Sequence, residues 1–352
     1  MKIIFLTEYL NPQINGIAIR IENHIKYLRE LGNIVEVYGP INCSSSTIKF
    51  STIQLKIINA NNLYIGIGLK IFFHILKNNY DIIHIIYPLS LYGNLVLFAA
   101  KIKNIKVICS FHVNLIEYNK LYPIKYILYN FVKYIIYYPT LNNILLAPNK
   151  INDITTIFNL KTKILPTGVD TKLFSYSKIS RKNIIVYVGR LSIEKNLFKL
   201  IDLFKLINNK YILKIIGNGP IKNDLIKYIN INNIKNIFFI NEVPQYKLIK
   251  YYQEAKFFFT CSITETYGFT CLEALSCGTP ILYPRCKVFN NLYNKYFYEM
   301  SFDLNNDISF IKSVKYIETN NLNSKCRKYA EKYSWKNATI KLLHIYKNAI
   351  KK

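Results

Sequence analysis

The chain has 352 residues, 51% hydrophobic and only 19% charged, which excludes a disordered protein and leaves room for two domains of about 170 residues each. Its net charge of +27 runs through both halves, with 17 basic and 8 acidic residues up to Asp170 and 30 and 12 beyond it, and Lys, Asn, Ile, Tyr and Phe are inflated throughout, so compositional drift accounts for most of the excess. What remains is a preference for anionic membrane surfaces, nucleotides or nucleic acid, and the last of these lacks any recognisable reading motif.

The first element is KIIFLTE (Lys2–Glu8), a buried-strand pattern running into the polar turn NPQING (Asn11–Gly16). Ile17, Ile21, Ile25, Leu28 and Leu31 then fall at helical spacing, and Gly32 closes that helix at the left-handed position. IVEVY (Ile34–Tyr38), DIIHII (Asp81–Ile86), IKVICSF (Ile105–Phe111) and NILLAP (Asn143–Pro148) read as further strands, separated by helix-length segments. Past the aperiodic polar run Pro166–Asn183, which marks the domain boundary, the scheme repeats. IIVYVG, YILKIIG, NIFFI, KFFFTC and TPILYP alternate with amphipathic segments after Lys195, Pro220, Gln245 and Gly268. Near-continuous apolar strands alternating with helices mean parallel sheets covered on both faces. The expectation is α/β: two Rossmann-like, doubly wound domains, 1–170 and 171–334, with ligands outside the carboxyl ends of the strands, in a cleft between the domains.

Seven cysteines without a CxxC pair argue against a disulfide framework or a zinc site and favour a reducing compartment. The start MKIIFLTEYLNPQ does not read as a signal peptide. The most apolar stretches, Leu63–Leu76 and Pro123–Tyr138, are broken by lysine before they reach transmembrane length. A cytoplasmic protein is expected, with peripheral contact to an anionic membrane left open.

Three groups of residues could carry chemistry. Gly189–Asn196, GRLSIEKN, puts Arg190 directly after a strand and Lys195 at the start of a helix, so that both cations could clamp a diphosphate. Two solvated surface cations are the plain alternative. GNGP (Gly217–Pro220) lets backbone come close to a ligand, although alone it is an ordinary turn. In ETYGFTCLEALSCGTP (Glu265–Pro280), two glutamates bracket Gly268 and Phe269 at the mouth of a helix. Its free amides suit an anion, while carboxylates suit paired sugar hydroxyls. A preference for acids near a helix N-terminus would explain one glutamate but not the ensemble. A diphosphate flanked by two polyols, a nucleotide sugar, fits the set.

G-R-L-x-x-E-K-N, then G-x-G-P, then E-x7-E with G-F after the first glutamate resembles a family 4 retaining glycosyltransferase of GT-B fold, over nearly the whole chain. Tyr333–Tyr346 is similar to the C-terminal helix that crosses back onto the first domain in such enzymes, which would put 335–352 there. Pro12–Gly32, Asp81–His84, Ser110–His112 and Leu165–Asp170 resemble the subgroup of sulfoquinovosyltransferases and related lipid glycosyl- and mannosyltransferases. The resemblance implies that Glu265 contacts the transferred sugar and Glu273 the ribose. It implies that Arg190 and Lys195 neutralise the leaving diphosphate and that His112 lies near the donor sugar. By the same resemblance Gly16 approaches the phosphates, although the family often has two glycines where this chain has Asn15–Gly16. Gly189, Gly217, Gly268 and Phe269 complete the expected donor site.

The implied reaction moves a hexose from a UDP-sugar, with GDP-mannose as the other candidate, to a lipid or glycan hydroxyl. No D-x-D occurs in the chain, and the cation pair is expected to replace an obligatory metal, with no cofactor. One stretch departs from the pattern. Arg285–Asp303 lacks the glycines of the family's usual loop, which keeps a weak enzyme, or an inactive scaffold of this fold, as the rival. A dehydrogenase is weaker, because Gly66-Ile-Gly68 lacks the third glycine of the dinucleotide fingerprint. Lys120–Pro139 has an apolar stripe with tyrosines at its margins, suited either to a membrane surface or to covering the first sheet.

Overall fold

The computed structural model describes residues 1–8, 10, 16–40, 43, 45–55, 63–67, 70–87, 92–111, 144–147, 162–263, 265 and 268–351. His112 and Lys120–Pro139 lie outside the described residues. Contacts divide the chain into two compact units, Met1–Thr167 with Trp335–Lys352, and Gly168–Ser334.

Unit 1 runs β1 (Lys2–Leu6), α1 (Gly16–Glu30), β2 (Ile34–Pro40), β3 (Ile48–Leu55), β4 (Leu63–Ile67), α2 (Lys70–Lys77), β5 (Ile82–Tyr87), α3 (Tyr92–Ile102), β6 (Lys106–Phe111), β7 (Ile144–Ala147) and β8 (Thr162–Ile164). The sheet order is β4-β3-β2-β1-β5-β6-β7-β8, parallel except where β4 pairs antiparallel with β3. Gly66 sits inside that edge strand and not in a strand-to-helix turn, so the dinucleotide fingerprint is excluded. β3, β4 and β8 were not expected from the sequence; β4 was missed because Leu63–Leu76 reads as one apolar stretch. In the structure a strand ends and a helix begins within it.

The strands of unit 1 are apolar on both faces because both are covered. Ile4 and Leu6 of β1 pack with Ile71 and Ile75 of α2 and Val96 and Ala99 of α3. Ile3 and Phe5 pack with Ile21, Ile25 and Leu28 of α1. Successive side chains of a strand point to opposite faces, so this alternation makes two cores from one strand. The chain's last helix, α10 (Trp335–Ile350), joins the α1 side through Leu342, Tyr346 and Ala349.

The buried stripe of α1 also holds Arg20 and His24, which are polar for local reasons. Arg20 donates to the Leu165 carbonyl at 2.9 Å, and His24 Nδ1 meets Thr339 Oγ1 of α10 at 2.9 Å. His84, in the middle of β5, bridges Tyr346 of α10 at 2.5 Å and Ser110 of β6 at 2.6 Å.

Unit 2 contains β9 (Ile184–Val188), α4 (Leu197–Lys205), β10 (Ile212–Ile216), α5 (Lys222–Ile231), β11 (Ile237–Ile240), α6 (Gln245–Glu254), β12 (Phe257–Phe259), α7 (Phe269–Ser276), β13 (Ile281–Pro284), β14 (Ser301–Phe302), α8 (Asp307–Thr319) and α9 (Asn323–Glu331). Its sheet order, β11-β10-β9-β12-β13-β14, is parallel throughout. Between β13 and β14 the segment at 287–300 folds into short helical turns.

Four helix ends use one device. After Gly32, Asn104, Asn233 and Gly278, all at positive φ, paired backbone bonds reach back into the last turn, as with Gly32 to Arg29 and Asn33 to Leu28. This is the Schellman pattern, in which asparagine tolerates the left-handed conformation second best to glycine. It turns each helix sharply into the next strand.

Candidate functional site

In unit 2 the strand order reverses between β9 and β12, and the loops after these two strands hold most of the expected site. Ligands of open parallel sheets bind outside the carboxyl ends of strands at such a reversal. Arg190 follows β9 by two residues. Lys195 closes a short 3-10 turn, Ile193–Lys195, before α4. Glu265 lies in the loop after β12. The side chains of Lys195 and Glu265 are about one-fifth exposed, and Nζ meets Oε1 at 2.5 Å.

The loop that presents Lys195 is held from several sides. Ser192 Oγ donates to Glu194 Oε1 at 2.6 Å. Asn196 adopts φ 54° at the N-cap of α4, and its side-chain amide donates to the Cys261 carbonyl beyond β12 at 3.4 Å. Asn196 thus ties the two loops together, a role that its place in the E-K-N run did not reveal. Tyr187 is buried in β9, and its hydroxyl donates to the Arg190 carbonyl at 3.1 Å.

The glycines of GNGP have a structural reason of their own. Gly217 stands at φ +143°, and a Cβ there would lie 2.0 Å from the Gly189 carbonyl oxygen. Leu191 N–H donates to the Asn218 carbonyl at 2.9 Å. The two loops touch backbone to backbone, which only glycine allows. Gly189 and Gly217 therefore shape the loop that carries Arg190.

Gly268 takes φ 59° as the N-cap residue of α7, and Phe269 begins the helix. Tyr293 donates to the Gly268 carbonyl at 3.4 Å. The expected picture of two acids at a helix mouth needs correction. The first turn of α7 contains no acid: Glu265 precedes the helix, and Glu273 lies in its second turn with 7% exposure.

Glu273 accepts hydrogen bonds from Tyr252 at 2.9 Å and from Gln245 at 3.3 Å. Both partners belong to α6, seven residues apart and so on one helix face. Burial pushes the Glu273 carboxyl up to about 7, against the two hydrogen bonds that pull it down. Burial first and Glu273 second raise the Tyr252 hydroxyl well above its ordinary range, so it remains a donor. Gln245 and Tyr252 were missed in the sequence because their helix lies 28 and 21 residues before Glu273.

α6 is anchored at its far end by Arg181. This half-buried guanidinium donates to the carbonyls of Tyr252, Gln253 and Ala255 at 3.1, 3.1 and 2.8 Å, to Thr279 Oγ1 at 2.8 Å, and to the Cys277 carbonyl at 3.2 Å. A cation at the C-terminal carbonyls of two helices complements both dipoles.

In unit 1, Gly16 is the first residue of α1, in the first strand-to-helix connection. Ser110 is the described residue of the Ser110–His112 run that meets His84.

Residues 169–333 match the family model Glycosyl transferases group 1. The match takes in nearly all of unit 2 and just under half of the chain. An alpha-monoglucosyldiacylglycerol synthase of Streptococcus pneumoniae is 27% identical over 60% of this chain and 53% of its own length, so the chain spans about half of that relative. The sulfoquinovosyl transferase SQD2 of Arabidopsis thaliana is 24% identical over 94% of this chain and 70% of its own. Among solved structures, a sucrose-phosphate synthase from Thermosynechococcus elongatus has a TM-score of 0.74 at 14% identity, covering 99% of this chain and 98% of its own. Anabaena Alr3699/HepE, in complex with UDP and glucose, has a TM-score of 0.72 at 14% identity, covering 99% and 100%. The fold is GT-B, and the chain is similar to lipid glycosyltransferases. Among the described residues, no helix is long and apolar enough to cross a membrane.

Proposed function

We propose that the chain is a retaining glycosyltransferase that moves a hexose from a nucleotide-diphosphate sugar to a hydroxyl of a lipid or glycan. The observation that carries this reading is the meeting of Lys195 with Glu265, 70 residues apart in the chain, where the strand order reverses in the unit that matches the group 1 glycosyltransferase model.

Arg190 and Lys195 take the diphosphate. Negative charge grows on the leaving phosphate in the transition state, and losing one pre-positioned donor of this kind costs about 3 kcal/mol. Lys195 has three N–H donors and Glu265 two acceptor oxygens, so their pairing leaves capacity on both. The ammonium turns its remaining protons to phosphate while the carboxylate accepts from a hydroxyl of the transferred sugar. Glu273 already takes one hydrogen bond on each oxygen and keeps lone pairs for the ribose diol. Gly268, Phe269 and the amides of α7 face the phosphates, as do Gly189 and Gly217; the roles of Gly16 at the phosphates and His112 at the donor sugar are those the family resemblance implies. Unit 2 takes the donor, and unit 1 is left to select the acceptor.

The relatives' names support a lipid acceptor, and the UDP in the Anabaena structure supports a UDP-sugar. GDP-mannose is the competing donor. The cation pair stands in for a metal, and the protein works from the cytoplasm at a membrane surface.

The test incubates purified protein with UDP-glucose, UDP-galactose or GDP-mannose, a diacylglycerol acceptor and EDTA. One donor should yield glycolipid with its anomeric configuration retained. Thermal shifts with UDP, GDP and ADP accompany the assay, because a ligand at 100 times its Kd adds about 2.7 kcal/mol. A shift without transfer points to a scaffold of this fold. The absence of both a shift and transfer refutes the reading.

A further inference from the structure

The segment Arg285–Asp303, which departs from the family pattern, builds a feature that the proposed reaction does not use. Its short helical turns lay Tyr296 and Phe297 against α9, with ring centroids 5.1 Å from Tyr329 in both cases. These three rings, with Ser324, Lys325, Lys328 and Lys332, line a cavity of about 340 Å³. Phe297 and Tyr329 are buried beneath it, and Tyr329 is held by a hydrogen bond from its hydroxyl to the Leu292 carbonyl.

Lys325, Lys328 and Lys332 are spaced i, i+3, i+7, which brings them onto one side of α9 and its end. Among the described residues none of the three is paired with a carboxylate. The acid on that helix, Glu331, pairs with Arg327. Two of the ammoniums lie over rings instead, Lys325 at 5.5 Å from the Phe297 centroid and Lys332 at 5.4 Å from that of Tyr296. Like charges at this spacing repel, and ring faces stabilise a cation without neutralising it. Compositional drift scatters lysines over a surface, but it does not gather three around one aromatic-floored cavity.

We propose that this cavity binds a phosphate group carried on a small organic body, the three ammoniums taking the phosphate and the rings the body. Its volume falls at the lower end of small-molecule pockets, about 300–1,000 Å³. The same chemistry is offered by a soluble phosphorylated metabolite and by a phospholipid headgroup. The site shares no residue with the donor site, so the inference stands apart from the proposed reaction.

The test removes the donor cations first, with Arg190→Ala and Lys195→Ala in the full chain, and titrates inorganic pyrophosphate by calorimetry. In parallel the protein is sedimented with phosphatidylcholine vesicles, with and without phosphatidylglycerol. Lys328→Gln with Lys332→Gln should weaken binding about tenfold or more. Ser324→Trp fills the cavity, leaves every charge in place, and should do the same. Lys227→Gln with Lys235→Gln removes two exposed lysines elsewhere on unit 2 and should leave binding nearly unchanged. Melting curves establish that each variant folds. Selective loss in the calorimetric arm assigns a soluble ligand, and selective loss in the vesicle arm alone assigns a headgroup. Binding in neither arm, equal loss in the Lys227/Lys235 pair, or full binding by Ser324→Trp overturns the proposal.

Discussion

Glu273→Gln should make unit 2 more stable at alkaline pH. The Glu273 carboxyl is pushed up to about 7 by burial, against about 4.3 in an unfolded chain. A folded value above the unfolded one means that the folded state binds the extra proton between these limits. The contribution is therefore fully favourable below about pH 4.3 and is lost as pH rises through 7. One pKa unit is 1.36 kcal/mol, so above pH 7 the buried carboxylate costs about 4 kcal/mol. Glutamine keeps an acceptor for Tyr252 and carries no charge, and it should recover most of that at pH 8. It should also flatten the stability slope of unit 2 between pH 5 and 7. The only tryptophan, Trp335, belongs to unit 1, so fluorescence does not read unit 2. Hydrogen exchange of peptides spanning residues 245–284, analysed by mass spectrometry at pH 5, 6, 7 and 8, does. If the variant keeps the wild-type pH slope, or is less stable at pH 8, burial does not govern Glu273 and the reasoning fails.

Unit 1 should respond to pH in the opposite sense. Burial, helped by Arg20, lowers His84 to about 3, and burial also holds His24 well below its ordinary value. Folded values below the unfolded 6.5 mean that stability is lost as pH falls from 6.5, by about 1.4 kcal/mol per pH unit for each histidine. Trp335 fluorescence during urea unfolding reads this, and a midpoint unchanged from pH 6.5 to 4.5 would contradict it. Arg181→Met removes a donor from the Gln253, Ala255 and Cys277 carbonyls, while the Tyr252 carbonyl keeps Thr279 Oγ1, and should cost about 3 kcal/mol, seen as faster exchange in α6 and as weaker nucleotide binding. Gly217→Ala forces a Cβ to 2.0 Å from a carbonyl oxygen at a φ that alanine avoids. It should lower the melting temperature and abolish nucleotide binding, while Gly32→Ala, whose Cβ meets nothing within 4 Å, should carry only the cost of its φ.

Much of this protein is written in local pattern. Alternating apolar strands and amphipathic helices are enough for two parallel-sheet units, because a strand covered on both faces must be apolar at every position. The strands β3, β4, β8 and β14 escaped because they sit at or near sheet edges, where pairing and not periodicity defines them. The helices α8 and α9 were not singled out, since their apolar faces serve a core that other elements define.

Within the candidate site, the sequence by itself determined which residue types end up near the carboxyl ends of β9 and β12, since in a parallel fold chain order alone decides which loop leaves each strand. Only the tertiary structure decided what those residues are. It brought Lys195 onto Glu265, buried Glu273 beneath Tyr252 and Gln245, and turned the glycines of GNGP toward the neighbouring loop. Each of these depends on contacts between chain segments that lie far apart in sequence. Burial and proximity are properties of the packed fold, and no local spacing of residues encodes them.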